Sequence, residues 1–473
     1  MPTKYIKQIL SARVYDVAEQ TPVDEARFLS ARLDNRVLLK REDLQPVHSF
    51  KLRGAYNHMV KLSVEEKSRG VIAASAGNHA QGVAYSAQKL GIQSVIVMPE
   101  TTPDTKVRAV KSFGSKAILH GDTFDEACAH AMVMAQEKGY AFIHPYDDSD
   151  VIAGQGTIGM ELLQQVPDQL DAIFIPVGGG GLIAGISAFV KYLRPEVKVI
   201  GVEAEDSACF AAALKKNRRV VLPEVGIFAD GVAVAQIGKE TFRVARQCVD
   251  EVITVNTDEI CASIKDIFDD TRSITEPAGA LAVAGLKKYV QREGASKQTL
   301  VAINSGANTN FDRLRHISER AELGENREAI LAVTILETPG SFRRFCRLLG
   351  KINISEFNYR YSDSSEAQVF AGLQIRDADD RQAIIKKLRD KNYATEDLSD
   401  NEMAKLHIRH MVGGRHANIG EELLYRVEFP ERPGALMAFL ISLGEKWNIS
   451  LFHYRNHGAA YGRVLVGFQA AKR

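Results

Sequence analysis

A lysine and a run of glycines are the residues of this chain whose types and spacing point most directly to chemistry. Lys51 lies in the segment 48–55, His-Ser-Phe-Lys-Leu-Arg-Gly-Ala, and four glycines follow the apolar run 172–177. Lysine offers an amine nucleophile. Glycines after a buried strand let successive N–H groups converge on an anion, because no Cβ intrudes. A helix beginning near Leu182 would add its dipole, so the pattern predicts a nucleophile and a phosphate site.

Taken alone, each of these signals has a simpler explanation. Most lysines are solvated surface charges, and most glycine runs are flexible turns. A third segment favours the functional interpretation, because residues 75–82 directly follow the apolar run 71–74. Ligands of open α/β sheets bind beyond the carboxyl ends of the strands. The three segments together therefore predict one ligand site.

The charge balance favours a small-molecule ligand. The chain has 473 residues, of which 60 are basic and 59 acidic, and a formal net charge of +1. This balance gives no general attraction to nucleic acid or to anionic lipid. The length predicts two or three domains with buried cores.

The cysteines and the apolar runs bear on location. The five cysteines are scattered singly, which is typical of reduced core residues rather than of disulfides; they are Cys128, Cys209, Cys248, Cys261 and Cys346. No apolar stretch approaches the roughly 18 to 20 residues needed to span a bilayer. We therefore expect a soluble, cytoplasmic protein with no membrane partner and no metal site.

Short apolar runs alternate with amphipathic stretches from residue 36 to residue 310. This alternation predicts an α/β fold with a doubly wound, largely parallel sheet. The stretch 122–138 has apolar residues three or four positions apart, which predicts a helix capped by Asp122 or Thr123. The predicted strands are 36–39, 71–74, 94–98, 172–177, 198–202 and 299–303.

The chain after residue 310 has a different composition and an internal repeat. Residues 312–327 are dense in charge and poor in apolar side chains, which predicts a connector. The segment 338–342 then recurs at 432–436, and 353–360 recurs at 448–455. Each copy reads as a strand, a Pro-Gly turn, a helix and two more strands. The predicted strands and helices are 329–335, 341–349, 424–429 and 435–443, and we expect the second copy to lack its last helix and strand.

Five ordered motifs make the chain resemble the biosynthetic threonine dehydratases, which are pyridoxal-phosphate (PLP) enzymes of fold type II, similar to the tryptophan synthase β chain. The resemblance covers essentially the whole chain. The motifs are Lys-Arg-Glu-Asp-Leu-Gln (40–45), Ser-Phe-Lys-Leu-Arg-Gly (49–54), Ser-Ala-Gly-Asn-His (75–79), Gly-Gly-Gly-Gly-Leu (178–182) and Asn-Ser-Gly-Ala-Asn (304–308).

The resemblance implies specific roles for residues in these motifs. Lys51 would be the catalytic residue and would carry PLP as a Schiff base, with Phe50 beside it. The phosphate would be held by Gly178, Gly179, Gly180, Gly181 and Leu182. The substrate carboxylate would be held by the loop of Ser75, Ala76, Gly77, Asn78 and His79, and Asn78 would also contact the 3′ oxygen of the cofactor. The implied reaction converts L-threonine to 2-oxobutanoate and ammonia, and L-serine is a further expected substrate.

Three positions refine this prediction. Ser305 would face the pyridine nitrogen, or alternatively would only cap a following helix. Ala76 stands where related racemases place a serine, and an alanine cannot donate a proton; we therefore expect little racemisation. His79 could act as a general base, but a histidine beside an asparagine in a tight loop more often fixes the loop by a hydrogen bond.

The resemblance also implies regulation and a division of the chain. The repeats resemble tandem ACT-like amino-acid-binding modules, which implies inhibition by isoleucine and relief by valine. The candidate effector contacts, or else ordinary core aromatics, are Phe357, Tyr359, Phe452 and Tyr454. We expect a homotetramer. The predicted parts are a catalytic domain (1–314), a connector (315–328) and two modules (329–400 and 401–473).

Two other classes of protein stay open at this point. One is a related enzyme of the same fold, such as a serine dehydratase, a threonine synthase or a sulfhydrylase. The other is an amino-acid sensor that kept the fold without catalysis. The tandem repeats and the motif at 75–79 argue against the first class. The presence of Lys51 and of the other cofactor motifs argues against the second.

Overall fold

The computed structural model divides the chain into two compact units, Met1–Leu314 and Arg315–Arg473. It describes residues 3–325, 327–336, 345, 348–349, 352, 354–361, 366–406, 421–430, 442, 449–455 and 461–470. The finer division of the second unit into two modules stays a prediction.

The first unit contains two sheets. Its strands are β1 (Val23–Glu25), β2 (Arg36–Arg41), β3 (Val71–Ala74), β4 (Ser94–Met98), β5 (Lys116–Leu119), β6 (Ala141–Phe142), β7 (Ala172–Pro176), β8 (Lys198–Ala204), β9 (Glu251–Val255) and β10 (Thr299–Asn304). A six-stranded sheet has the order β1-β2-β10-β7-β8-β9, and a four-stranded sheet has the order β5-β4-β3-β6. All pairs are parallel except β1 with β2.

Helices alternate with these strands. They are α1 (Lys4–Leu10), α2 (Arg27–Leu33), α3 (Lys51–Met59), α4 (Val64–Arg69), α5 (Asn78–Leu90), α6 (Asp104–Ser112), α7 (Phe124–Lys138), α8 (Ser149–Gln165), α9 (Gly181–Leu193), α10 (Cys209–Lys216), α11 (Lys239–Cys248), α12 (Thr257–Thr271), α13 (Pro277–Glu293) and α14 (Arg313–Gly324). Every residue of β3, β4, β7 and β10 is buried, as expected for parallel strands covered on both faces. The predicted α/β fold class is confirmed.

The predicted helix at 122–138 is confirmed, and its cap is Thr123. The Thr123 hydroxyl accepts a hydrogen bond from Glu126 N at 3.3 Å, and the Glu126 carboxylate accepts one from Thr123 N at 3.0 Å. This capping box satisfies two amides that would otherwise lack partners at the start of α7. No helix in the described part of the chain is long and apolar enough to cross a membrane.

A buried ion cluster fixes α3, the helix that begins at Lys51. The Arg53 guanidinium donates to Glu42 at 2.8 Å and to Glu161 of α8 at 2.5 Å, and Lys40 of β2 donates to Glu161 at 2.6 Å. All four side chains are fully buried. Gly54 lets α3 and α8 approach closely, since a Cβ there would lie 2.8 Å from Val151 O. The cluster therefore holds α3 to β2 and α8.

Within its described residues, the second unit contains two antiparallel sheets. The described elements after α14 are β11 (Glu328–Leu336), β12 (Ile354–Tyr361), β13 (Glu366–Gln374), α15 (Ala378–Arg389), β14 (Thr395–Asp397), α16 (Glu402–Leu406), β15 (Glu421–Pro430), β16 (Ile449–Arg455) and β17 (Tyr461–Ala470). The sheet orders are β12-β13-β11-β14 and β15-β17-β16. The repeated turns at 338–342 and 432–436, and most of the predicted helices at 341–349 and 435–443, lie outside the described residues.

The two sheets share features that the sequence repeat predicts. In each, the third strand of the copy lies between the first and the second. The strand register shifts between Ile354 and Glu356 in one sheet and between Ile449 and Leu451 in the other. The irregularity thus falls at corresponding positions of the repeat, Ser355 and Ser450. One supersecondary pattern is therefore used twice.

Candidate active site

Lys51 is the first residue of α3, and its environment favours a reactive amine. Its Nζ donates a hydrogen bond to Pro145 O at 3.2 Å and lies 5.2 Å from the centroid of the Phe50 ring. Burial lowers the pKa of Lys51 to about 8, although the negative charge of Glu276 partly opposes this shift. Burial has this effect because a poorly solvated site penalises the ammonium form. The neutral amine is therefore accessible near physiological pH.

The segment before Lys51 is pinned to the loop that follows β10. Phe50 N donates to Ser305 O at 3.3 Å, and Ala307 N donates to His48 O at 2.9 Å. An isolated antiparallel bridge joins Ser49 to Gly306. Backbone hydrogen bonds therefore bring two of the predicted motifs together, although about 255 residues separate them in the chain.

The four glycines form the turn between β7 and α9. Gly180 has a φ of +91°, a left-handed conformation that glycine adopts without the cost a side chain would add. Gly179 packs against the Tyr146 ring so closely that a Cβ would lie 2.2 Å from it. Thr241 Oγ1 and Gly238 N both donate to Gly179 O, at 2.7 and 3.2 Å. These contacts hold the turn in place, which argues against the flexible-turn alternative.

This turn can bind an anion. Helix α9 begins at Gly181, and its N-cap, Gly180, has no side chain to accept the first amides of the helix. Such a helix start presents N–H donors and the positive end of the helix dipole. Tyr146 follows Pro145, whose carbonyl accepts from Lys51, so the turn and the lysine share a neighbourhood. Leu182, the remaining predicted phosphate contact, is the second residue of α9.

The loop of residues 75–79 follows β3 and leads into α5. Gly77 N donates to Ser75 Oγ at 3.2 Å, and a Cβ on Gly77 would meet no atom within 4 Å. Helix α5 begins at Asn78 without a side-chain cap. Ala76 contributes only a methyl group at this loop. The open side of the loop and the helix start suit a carboxylate.

His79 holds its loop rather than facing a proton-transfer path. Its Nε2 donates to Ile143 O at 2.8 Å, and the residue is only 3% exposed. Burial, reinforced by the positive charge of Lys51, lowers the pKa of His79 to about 3. The imidazole is therefore neutral at physiological pH and serves as a hydrogen-bond donor to the backbone.

Ser305 lies directly after β10 and is buried. Its hydroxyl has one long hydrogen bond, to Ala278 O at 3.4 Å. The next helix begins only at Arg313, so Ser305 does not cap a helix and that alternative does not hold. Its backbone carbonyl accepts the hydrogen bond from Phe50 N, which ties Ser305 to the segment that carries Lys51.

Two residues with no role assigned from sequence complete the cluster. Glu276 lies just before α13 and is 4% exposed, and it accepts a hydrogen bond from Asn78 Nδ2 at 2.6 Å. Asn308 Nδ2 donates to Asn78 Oδ1 at 2.7 Å. The only sequence signal for Glu276 is its position before Pro277, the first residue of a helix. Asn308 is the last residue of the motif at 304–308, but that motif does not indicate that Asn308 contacts Asn78.

Charged residues surround Glu276. Burial raises the pKa of Glu276 to about 7, the nearby negative charge of Asp230 adds to that rise, and the Asn78 hydrogen bond opposes it. Asp230 pairs with Lys106 of α6 at 2.8 Å and with Arg313 at 3.4 Å. These two cations outweigh burial and lower the pKa of Asp230 to about 2. Lys106 belongs to a helix that follows β4 of the smaller sheet, so this pair links the two sheets.

The predicted effector contacts lie on strands of the second unit. Phe357 and Tyr359 are on β12, paired with Ala371 and Val369 of β13. Phe452 and Tyr454 are on β16, paired with Val466 and Val464 of β17. The description of these four residues is limited to their backbone, so the choice between effector contact and core aromatic stays a prediction.

One group of side chains in the described part of the chain could hold a metal ion. Ligand atoms of His58, Asp148 and Asp150 lie within 4.8 Å of one another. Their contacts have an explanation without a metal. Asp148 accepts from His58 Nδ1 and from two amides at the start of α8, and Asp150 pairs with Lys61 at 2.5 Å.

The arrangement of the first unit fits PLP. A lysine amine of lowered pKa, a fixed turn with free helix amides, an asparagine amide and a buried hydroxyl converge on one region. PLP needs an amine for covalent attachment, donors for its phosphate and a defined partner for its ring nitrogen. Lys51, the turn of glycines 178–181 and Ser305 would supply these three functions.

Comparisons with known proteins agree with this assignment. The family model described as "Pyridoxal-phosphate dependent enzyme" matches residues 14–306. The model described as "C-terminal regulatory domain of Threonine dehydratase" matches residues 319–408 and 413–473.

Individual relatives match along nearly the whole chain. The biosynthetic L-threonine dehydratase IlvA of Burkholderia multivorans is 57% identical over 98% of this chain and 92% of its own length. The Pasteurella multocida protein of the same name is 56% identical over 98% and 91%. Among solved structures, the processed form of threonine deaminase isoform 2 from Solanum lycopersicum is 48% identical, with a TM-score of 0.66, covering 67% of this chain and 93% of that one.

Proposed function

The chain belongs to the biosynthetic threonine dehydratases, a group of pyridoxal-phosphate dependent enzymes, and from that premise we propose that it dehydrates L-threonine. The products are 2-oxobutanoate and ammonia, and the reaction is the first step of isoleucine biosynthesis. The single observation that supports this most is the Lys51 amine. It is desolvated and of lowered pKa, beside a fixed turn whose amides suit a phosphate.

Each motif has a proposed part in catalysis. When bound, PLP supplies an aldehyde that exchanges amines and a ring that withdraws electrons from the substrate. Lys51 Nζ would take the proton from Cα of threonine, and that proton and the β-hydroxyl would together be lost as water. Backbone amides and the Ser75 hydroxyl orient the substrate carboxylate, and the turn of glycines 178–181 with Leu182 holds the phosphate. The Ser305 hydroxyl would face the ring nitrogen.

Two further features of the activity follow from side chains at the substrate loop. Ala76 has no proton to deliver to the face of the substrate opposite Lys51, so the enzyme eliminates water without racemising its substrate. L-serine, which carries the same β-hydroxyl, is a second substrate. The first statement rests on the lack of a proton donor in the Ala76 side chain, and the second on the β-hydroxyl that threonine and serine share.

Regulation is proposed for the second unit. Isoleucine inhibits the enzyme and valine relieves the inhibition, with Phe357, Tyr359, Phe452 and Tyr454 as candidate contacts. An effector acts this way only if it binds one conformational state better than another. The working form is a homotetramer in the cytoplasm, with no nucleic-acid or membrane partner.

The experiment that tests this function measures turnover and traps the lysine. Purified protein supplied with PLP is assayed on L-threonine and L-serine, with and without millimolar isoleucine. Borohydride reduction followed by peptide mapping should mark Lys51, and Lys51→Ala should abolish both turnover and labelling. Lys61→Arg, at an exposed lysine ten residues away, is the matched control and should change neither.

Several outcomes would contradict the proposal. A chain that binds PLP but turns over neither substrate would be a sensor or another enzyme of this fold. Formation of D-threonine or D-serine in a chiral assay would contradict the assignment of Ala76. Reduction by borohydride at a lysine other than Lys51 would refute the assignment of Lys51 as the catalytic residue.

A further inference from the structure

A chain of hydrogen bonds connects the backbone at Val47 to the carboxyl group of Glu276. Asn308 Nδ2 donates to Val47 O at 2.8 Å and to Asn78 Oδ1 at 2.7 Å. Asn78 Nδ2 then donates to Glu276 Oε1 at 2.6 Å. The four residues come from the segment before α3, the loop after β10, the start of α5 and the residue before α13.

The backbone carbonyl at one end sets the direction of the whole chain. A carbonyl oxygen only accepts hydrogen bonds, so the Asn308 group that faces Val47 O is the NH2. That NH2 also faces Asn78, which therefore presents its oxygen to Asn308. The Asn78 NH2 must then face Glu276. An amide orientation that is ordinarily ambiguous is thus fixed by its neighbours.

The hydrogen-bond inventory of Asn78 leaves one donor for a ligand. An asparagine NH2 carries two hydrogens, and Glu276 accepts one of them. Asn78 lies at the start of α5, at the end of the loop proposed to hold the substrate, and it is only partly buried. Its second N–H is therefore available to a ligand in the candidate active site.

The protein makes room for the Glu276 carboxyl group. Glu276 N donates to Gly306 O at 3.1 Å, and a Cβ on Gly306 would lie 2.6 Å from Glu276 Oε1. A Cβ on Gly231 would lie 3.4 Å from the same oxygen. Glycines therefore line this carboxyl group on two sides, and any larger residue at 306 would displace it.

We propose that Glu276 and Asn308 are positioning residues that hold the Asn78 amide so that its remaining N–H points at the bound cofactor. This inference rests on the proposed function, in which Asn78 contacts the 3′ oxygen of PLP. Glu276 and Asn308 act through Asn78, and neither has to touch the cofactor. Their effect on the cofactor therefore requires the Asn78 side chain.

The charges around Glu276 are consistent with a carboxyl group that is partly protonated and partly ionised near neutral pH. Burial and then the negative charge of Asp230 raise the pKa of Glu276, whereas the Asn78 hydrogen bond, Lys106 of α6 and Arg313 of α14 lower it. Glu276 in turn partly opposes the lowering of the Lys51 pKa that burial causes. Whether ionised or protonated, Glu276 keeps an oxygen that accepts from Asn78.

A double-mutant cycle tests the proposal. The dissociation constant of PLP is measured by titrating the full-length apo-protein, for wild type, Glu276→Ala, Asn78→Ala and the double variant. Loss of one hydrogen bond of this kind is expected to weaken binding about tenfold. If Glu276 acts through Asn78, the double variant is also about tenfold weaker than wild type, and not a hundredfold. The visible absorption band of bound PLP should shift equally in all three variants.

Additional variants separate positioning from general stability. Glu276→Gln keeps an acceptor and should bind PLP within about twofold of wild type. Asn308→Ala interrupts the series of hydrogen bonds from the other end and replaces Glu276→Ala in the cycle if that variant fails to fold. Its effect on PLP binding should also be non-additive with that of Asn78→Ala. The matched control is Asn35→Ala. Asn35 is also buried, donates to Leu33 O and Ala295 O at the amino end of β2, and should leave the dissociation constant unchanged.

The outcomes distinguish this inference from the function it rests on. Losses that multiply to about a hundredfold in the double variant overturn the positioning role, as does a Glu276→Gln protein that binds as weakly as Glu276→Ala. In both cases wild type still binds PLP and consumes threonine. A wild-type protein that takes up no PLP overturns the proposed function together with this inference.

Discussion

At the scale of single residues, the reactivity of Lys51 is set by what surrounds its amine. The carbonyl of Pro145 accepts one hydrogen bond, the Phe50 ring lies 5.2 Å away, and burial lowers the pKa to about 8. An ordinary lysine, with a pKa near 10.4, is almost wholly protonated at pH 7. The site therefore raises the neutral fraction of this amine by a factor of hundreds.

The pH dependence of PLP uptake is the first prediction. Below its pKa of about 8, the neutral form of Lys51 increases about tenfold per pH unit. The rate at which apo-protein takes up PLP should rise from pH 6 to pH 8 and then level off. Stopped-flow absorbance measures this rate. A rise that continues unchanged beyond pH 10 would mean that the lysine is solvated and ordinary.

At the scale of elements, three turns meet near Lys51 although their strands belong to two different sheets. The turns after β3, β7 and β10 carry the substrate loop, the glycines and Ser305, and each lies at the carboxyl end of its strand. Helix α3, which carries Lys51, is held in place by the buried ion pairs of Arg53 with Glu42 and Glu161. Lys51, the proposed catalytic residue, thus begins a helix that is held in place by buried charges.

Loss of Arg53 should destabilise the first unit strongly. Arg53→Met leaves two buried carboxylates without their main cation, and breaking such a pair typically costs about 3–5 kcal/mol. Thermal or urea unfolding measures the change. The control is Arg13→Met, because Arg13 pairs with Asp16 at the surface, where one pair contributes about 0–1 kcal/mol. Similar stabilities for the two variants would show that the cluster does not anchor α3.

Substitution of Gly179 should impair cofactor binding through a steric clash. A Cβ at this position would lie 2.2 Å from the Tyr146 ring, so Gly179→Ala must displace either the ring or the turn. We expect PLP affinity to fall at least tenfold. Tyr146→Ala opens that space, so Gly179→Ala should cost much less in the Tyr146→Ala background. An equal loss in both backgrounds would place the cause elsewhere, and PLP titration measures all four proteins.

At the scale of the whole molecule, catalysis and regulation belong to separate compact units. The unit Met1–Leu314 contains every residue proposed to contact cofactor or substrate, whereas the proposed effector contacts lie in Arg315–Arg473. The family models divide the chain in the same way, at 14–306 and at 319–473 with a short gap. Effector variants in the second unit should therefore leave the chemistry of the first intact.

Isoleucine sensitivity tests this separation. Tyr359→Ala and Tyr454→Ala should each raise the isoleucine concentration for half-inhibition about tenfold or more, and turnover without isoleucine should stay near wild type. The measurement is threonine turnover against isoleucine concentration, with and without valine. Lys391→Ala, at an exposed residue after α15, is the control. Turnover that is indifferent to isoleucine in the wild-type chain would refute the regulatory proposal.

The sequence by itself determined what depends on local order along the chain. The strand-turn-helix patterns around residues 71–79 and 172–182 predict loops at strand ends, because hydrophobic periodicity and glycine are local signals. The α/β fold, a helix cap at Asp122 or Thr123 and the internal repeat follow from the same kind of evidence, and the structure decided for Thr123. Lys51 also stands out, since its motif is contiguous.

Only the tertiary structure decided which distant side chains meet. Asn78 contacts Glu276 across 198 positions of sequence and Asn308 across 230, and Arg53 contacts Glu161 across 108. A hydrogen bond depends on distance and direction in space, and these are set by the packing of two sheets and their helices. No periodicity along the chain records that packing, so the partners that orient Asn78 and anchor α3 become visible only in the folded molecule.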